Sequence, residues 1–350
     1  MTHRENILRT VRFEKPDRIP VSFGIGGACW ETYPQDALKD LMANHPLLFP
    51  NFQKSDAKVV PTHAPWRQAD RLHTDSWGCV WQTAQNGITG TVIEHALPAW
   101  QALSSYVPPS PDEHDGWGRI GWEDIRERVE RQKTAGRLAA GKLRHGHTFM
   151  TLMYIRGYQN LLFDMVDARP EIAQLIEMVE QFNLGLVQRY LELGVEWMGY
   201  PEDLGMQQGP MLSPDHFKAY IKPTYKRLVA PAKEAGCVIH MHSDGDIREL
   251  CEDLLDVGMD VINLQDLVNG IGWMKANLKG RVCVELDLDR QNITRFGTPD
   301  QIDRHVREAV KTLGSPEGGL MLKHGLYPGV PLENVAALMT AMETYSTYYS

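Results

Sequence analysis

In the second half of the chain, helical runs of apolar residues alternate with short apolar stretches that end in polar ones. Ile172, Leu175, Ile176, Val179, Phe182, Leu186 and Tyr190 recur at helical spacing, as in a helix with one buried face. Pro170 suits its first position and Gly194 its stop. Residues 195–200 then predict a strand that ends at Glu202 and Asp203. Ser213 and Pro214 predict the start of a helix that breaks near Pro223 and stops at Gly236. Residues 237–242 predict a strand ending in Ser243-Asp-Gly-Asp246. A helix over 247–257 stops at Gly258. The next strand, 259–264, ends at Gln265 and Asp266. A short helix around 273–278 stops at Gly280, and the strand 281–286 ends at Asp287, Asp289 and Arg290. Thr298 and Pro299 open another helix. The last strand, 319–323, ends at His324, and a helix over 331–345 follows.

Strands alternating with helices imply a parallel sheet covered on both faces. An open doubly wound sheet and a closed barrel both fit that alternation. Every strand end from 195 to 323 is polar, and in a barrel those ends meet at one mouth, where the active site sits. The pattern therefore favours a (β/α)8 TIM barrel spanning 1–350 as a single domain. The first half is less regular. Residues 4–13 predict a helix, 17–23 a strand, 122–140 a charged helix and 147–151 a strand. Residues 60–118 are rich in Trp, Pro, Gly and His, and predict an irregular aromatic insertion that acts as a lid or pocket wall.

Composition narrows the partners. The net charge is −9 with no basic run, which argues against a nucleic-acid surface. The N-terminal stretch lacks the apolar core of a secretion signal, and no stretch reaches the roughly 18 apolar residues of a membrane span. The five cysteines are scattered, with no CxxC pair, so reduced thiols and a cytoplasmic setting are expected.

The chemistry gathers at the strand ends. His240, His242 and Asp244 alternate, so they share one face of a strand. Two imidazoles and a carboxylate at this spacing suit a metal ion, although a strand histidine is also commonly a hydrogen-bonded core residue. In a barrel His324 would join His242 and Asp244 as a two-histidine, one-carboxylate set for Zn2+ or another divalent metal. Glu202 and Asp203 are adjacent, so a regular strand points only one of them at the site, as a fourth ligand or a proton acceptor. Arg156 suits a substrate carboxylate or phosphate, with a surface ion pair as its alternative. Asp289 is either a site residue or a turn cap. His240, Gln265, Tyr154, Trp30 and Trp77 complete the candidate substrate-binding set. A glycine-rich phosphate loop and a GxSxG elbow are both missing, so dinucleotide binding and serine hydrolysis lack support.

Several segments together resemble the uroporphyrinogen decarboxylase superfamily, which also includes zinc-dependent methyltransferases that use corrinoid proteins. They are the run from Arg4 to Val21, Asp75-Ser-Trp-Gly-Cys79, Arg156-Gly-Tyr-Gln-Asn160, Glu202-Asp-Leu-Gly205, His242-Ser-Asp-Gly-Asp246, Phe296-Gly-Thr-Pro299 and the run from His324 to Asn334. The resemblance spans nearly the whole chain and implies the same barrel. The methyltransferase branch holds zinc on His-x-Cys and a later Cys. Those positions match His242, Asp244 and His324, so the chain keeps the histidine and replaces both thiolates. The decarboxylase branch carries an arginine-rich motif after its first strand. Here Ser22-Phe-Gly-Ile-Gly-Gly-Ala-Cys-Trp30 stands in its place, which argues against a substrate with many acid groups.

The expectation is a metal-dependent methyltransferase or demethylase-like enzyme with a small-molecule substrate, drawing on a corrinoid delivered by a partner protein. His242, Asp244 and His324 hold the metal, and Glu202 or Asp203 assists. A metal-free decarboxylase using His324 with an acid, and a non-catalytic barrel that binds a small molecule or a corrinoid protein, are the alternatives.

Overall fold

A computed structural model describes residues 1–349. The chain divides into two compact units. Unit 1 comprises residues 1–69, 84–88 and 263 onward, and unit 2 comprises residues 70–83 and 89–262. The aromatic insertion 60–118 thus contributes residues to both. Among the described residues the parallel sheet has seven strands: β1 (Val21–Ile25), β2 (Ala140–Lys142), β3 (Trp197–Pro201), β4 (Val238–Ser243), β5 (Val261–Gln265), β6 (Cys283–Asp287) and β7 (Leu320–Leu326). This is one fewer than the eight expected. Between β1 and β2 the chain is spent on helices and on a separate antiparallel sheet, and no strand there joins the parallel one.

In unit 1, β1 pairs in parallel with β7, and β7 with β6. The β1 register runs on to Ile25 opposite Leu326 and sets Phe23 opposite His324. His324 therefore lies inside β7 rather than at its end, because pairing with β1 carries the strand past the apolar run visible in the sequence. The helix Pro299–Leu313 starts with a capping box. Thr298 accepts from the Gln301 N–H, and the Gln301 side chain accepts from the Thr298 N–H. This satisfies two donors that the first helical turn leaves free. Its buried face is Ile302, Val306, Ala309, Val310 and Leu313.

In unit 2, β2 pairs with β3 and β3 with β4, all parallel. The helix Glu171–Glu192 buries the expected apolar stripe, with Pro170 as its N-cap. The break foreseen near Pro223 is a π turn over Phe217–Ile221, ahead of the helix Lys222–Glu234. A wider turn suits a proline, which offers no N–H to the helical ladder. The charged helix stops at Thr134, short of the predicted 140. The predicted strand over 147–151 is a correction: His147 and Thr148 are in a turn, and Phe149–Arg156 is a helix. The strand comes earlier, as β2. It has only three residues, Ala-Gly-Lys, with no apolar run to announce it. Gly141 is required there, since a Cβ would fall 2.7 Å from the Tyr190 ring.

The helix-stop glycines Gly194, Gly236, Gly258 and Gly280 all have positive φ (69°, 77°, 104° and 78°) and lie just before β3, β4, β5 and β6. In this region a side chain is strained, so glycine ends the helix at little cost. All five cysteines are free and buried. Among the described residues no helix is long and apolar enough to cross a membrane.

The part of the insertion in unit 2 forms an antiparallel sheet of His73–Thr74, Val80–Gln82 and Thr91–Glu94. It is organised around the buried Asp75. That carboxylate accepts from the N–H groups of Trp77 (3.0 Å) and Cys79 (2.9 Å), from the Trp81 indole (2.9 Å) and from Arg144 (3.3 Å). The Arg144 guanidinium stacks 3.9 Å from the Trp117 ring centre. Removing one partner of a buried ion pair leaves a charge uncompensated, at a cost of about 3–5 kcal/mol. Asp75→Ala should therefore lower the thermal midpoint by several degrees more than the exposed control Asp112→Ala, as read by circular dichroism.

Candidate functional site

Three strand ends of unit 2 build the site. The chain leaving β2 is tied to β3: the Leu143 N–H donates to Gly199 O and the Gly146 N–H to Pro201 O, both at 2.9 Å. Gly146 has φ +78°, and a Cβ there would fall 2.9 Å from Met150 Cβ. The turn needs glycine twice over, for conformation and for space. β3 ends at the adjacent acids Glu202 and Asp203, which point to different work, as their adjacency requires.

Glu202 is fully buried. Its Oε1 accepts from the N–H groups of Thr148 (2.9 Å) and Met150 (2.8 Å), and its Oε2 from the Tyr225 hydroxyl. Burial pushes its pKa up to about 7, against the hydrogen bonds from Tyr225, Met150 and Thr148, which favour the charged form. The carboxylate thus holds the turn that follows β2. His147 Nε2 lies 3.9 Å from Glu202 Oε2, is buried and has no hydrogen-bond partner. Burial drives the His147 pKa down to about 3.

Asp203 faces the other way. Its Oδ1 is 3.3 Å from His145 Nε2 and 3.5 Å from His242 Nε2, and it accepts from the Asp244 N–H at 2.9 Å. Burial alone would raise its pKa, but the hydrogen bond and charge of His145, with His242 and the Asp244 N–H, bring it down to about 2. For His145, burial works against the charged form, and the bond to Asp203 outweighs it, so its pKa is raised. The two imidazole rings lie 5.6 Å apart, centre to centre. Asp244 Oδ1 is 3.8 Å from His242 Nε2. Imidazole nitrogen facing carboxylate oxygen is a donor mixture that zinc and similar divalent ions accept, so the residues present fit the metal that the resemblance implies.

Of the predicted residues, the structure brings His242, Asp244 and Asp203 together and puts Glu202 behind them. His240 is buried, with its ring 5.2 Å from Trp197. Trp77 is buried against Phe182 at 5.0 Å. Tyr154 packs on Trp81 at 4.6 Å, with its hydroxyl 3.8 Å from Met150 Sδ. Arg156 is buried rather than on the surface. It bonds Asp164 at 2.7 Å and the carbonyl of Pro98, and its guanidinium lies 4.5 Å from the Trp100 ring centre. It thereby fastens the insertion to the helix Phe149–Arg156.

Four predicted residues belong to unit 1. Asp289 is a turn cap, its Oδ2 accepting from the Asn292 N–H at 2.8 Å and from that of Ile293. Trp30 lies in the helix Gly27–Thr32, its carbonyl accepting from Gln35 at 2.9 Å. The Gln265 carbonyl accepts from Asn269 at 3.1 Å. His324 is 2% exposed, with its ring 5.1 Å from Phe23 and Nδ1 3.1 Å from Leu288 O. His145 was absent from the sequence-based set. Its signal, a histidine just past a strand, is hidden because β2 carries no apolar run.

The chain resembles known proteins in two ways. A methyltransferase from Methanosarcina mazei matches over 99% of both chains, with 17% identity and a TM-score of 0.67. That likeness defines the class: an α/β protein of the TIM-barrel type. The family model "Uroporphyrinogen decarboxylase (URO-D)" matches residues 144–345. More than half of the chain is covered, and the chain belongs to the URO-D family. Among curated relatives, the uroporphyrinogen decarboxylase of Thermus thermophilus is 32% identical over 125 residues, which is 35% of either protein. That of Homo sapiens is 24% identical over 231 residues, 62% of this chain and 60% of the human protein. The chain thus spans about a third of the first relative's length and less than two thirds of the second's.

His324 gives a pH test. Burial is the main cause of its pKa being lowered from 6.5 to about 4, and the Leu288 carbonyl opposes this. Between those values the unfolded chain takes up a proton that the folded one refuses. The stabilisation is therefore complete above pH 6.5 and drains away as pH falls towards 4, by on the order of 3 kcal/mol. Urea midpoints measured from pH 7.5 to 4.5 should fall less steeply for His324→Gln than for the wild type. Parallel slopes would contradict the burial.

Proposed function

We propose that this URO-D family member is a metal-dependent enzyme of the methyl-transferring kind, with its chemistry centred on His242 and Asp203. The observation that carries the reading is the 3.5 Å approach of His242 Nε2 to an Asp203 carboxylate held near pKa 2. A carboxylate so placed stays ionised at every physiological pH and is ready to meet a cation. The M. mazei methyltransferase, which shares the fold, supports the choice of reaction class. A divalent ion bound there would supply Lewis acidity, lowering the pKa of a substrate heteroatom or polarising it.

The chain's own residues do the rest. Asp203 keeps its orientation through the Asp244 N–H. Glu202 holds the turn over His147 and Thr148 and stays out of the reacting site. On this reading the aromatic insertion, whose Trp81 and Trp117 pack together at 4.7 Å, would serve as a wall of the substrate pocket. The substrate is a small molecule, and a corrinoid on a partner protein is the methyl carrier that this reading implies. The setting it implies is the cytoplasm.

The deciding experiment compares chelator-treated and metal-reloaded protein on two substrates: methylcobalamin with a thiol acceptor, followed by the cobalamin spectrum, and uroporphyrinogen, followed by product analysis. Methyl transfer that is lost on chelation and restored by Zn2+ is expected, with no decarboxylation of uroporphyrinogen. His242→Ala should lower the transfer rate at least about 100-fold, the scale on which loss of a residue tied to a metal acts. Decarboxylation by the metal-free protein would overturn the proposal in favour of the carboxy-lyase reading.

A further inference from the structure

We infer that the metal centre is completed by His145, making a two-histidine, one-carboxylate set of His145, Asp203 and His242 that lies wholly within unit 2. This rests on the metal-dependent reading above and replaces the His324 position suggested by the motif alignment. One donor atom from each of His145, Asp203 and His242 lies within 4.8 Å of the others. Metal bonds of about 2.0–2.2 Å in a tetrahedral site put the donors about 3.3–3.6 Å apart, and Asp203 Oδ1 already lies 3.3 Å from His145 Nε2 and 3.5 Å from His242 Nε2. Three protein ligands from three strand ends leave coordination positions open, as a catalytic site requires.

The position of His145 is built. The turn that carries it is sewn to the strand that carries Asp203 by the Leu143 and Gly146 N–H bonds to β3. Glu202, one residue before Asp203, grips the same turn from below through Thr148 and Met150. Glu202 is itself oriented by Tyr225. His145 and Asp203 are therefore fixed by the same hydrogen bonds, and the Asp244 N–H fixes the carboxylate between the two imidazoles. Outer partners that orient metal ligands in this way are a regular feature of metal sites. His145 and His242 are 42% and 19% exposed in their side chains, so solvent and ions reach them. His324 offers no such geometry. It sits within β7, buried against Phe23, with one ring nitrogen turned to a backbone carbonyl.

The test is direct metal binding by the full-length protein, with Zn2+ in competition against a chromogenic chelator and Co2+ by its visible absorption. The wild type is expected to bind one equivalent, with a cobalt spectrum in the range of low-coordinate nitrogen and oxygen ligation. His145→Ala should weaken zinc binding at least about 100-fold, above the 10–100-fold range typical of outer partners, and change the cobalt spectrum. Its exposed side chain makes it a safe variant for folding, and circular dichroism checks this. Glu202→Gln should weaken binding about 10–100-fold with the cobalt spectrum retained, since it acts through the turn. His324→Gln should leave zinc affinity unchanged within experimental error. A wild type that binds neither ion overturns both this inference and the metal-dependent reading. A wild type that binds, beside a His145→Ala variant of equal affinity and spectrum, overturns the ligand set alone.

Discussion

The candidate site depends on a buried carboxylate with no direct part in it. Glu202 accepts two backbone N–H groups from the turn after β2 and a hydroxyl from Tyr225. A carboxyl group without such partners would be costly to bury fully. With them, it becomes a rigid post between two strand ends. The turn it holds carries His145, and the next residue along its own strand is Asp203. Loss of the post would take two hydrogen bonds from the turn while leaving the Gly146 N–H bond to Pro201 O and the pairing of β2 with β3.

The electrostatics divide the two neighbouring acids into opposite states. Glu202 is buried among backbone donors, and its pKa rises to about 7. Asp203 meets two imidazoles and a backbone N–H, and its pKa falls to about 2. Adjacent carboxylates of the same chemistry thus meet different surroundings, because successive residues of an extended chain face opposite sides. The histidines divide in the same way. His145 is raised by its carboxylate partner, while His147, two residues on and fully buried, is driven down to about 3.

The insertion has a comparable anchor in Asp75. Four donors converge on it, and Arg144, one of them, precedes His145 directly. The aromatic sheet and the turn that bears His145 are therefore secured from adjacent residues of one segment. Arg156 repeats the device at the end of the following helix, spending its guanidinium on Asp164 and on the carbonyl of Pro98. Of the two, Arg156 reads from sequence type as a candidate ligand binder, with a surface ion pair as its alternative. Burial with protein partners makes both arginines fasteners.

What the sequence determined by itself was whatever depends on local chemistry. The helix stripe over 172–190, the glycine stops before β3 to β6, the threonine and serine caps, and the polar strand ends at Asp203 and His242 all follow from neighbours within a few residues, and the alternation of these elements implied the fold class. Tertiary structure alone decided what depends on partners far along the chain. β2 exists because β3 pairs with it, although Ala-Gly-Lys carries no strand signal. β7 runs past His324 because β1 extends beside it, and this moves His324 from a strand end into a buried interior position. His145 meets Asp203 because Glu202 holds their turn and strand together. Each of these placements comes from hydrogen bonds between segments remote in sequence, and periodicity within one segment carries no record of them.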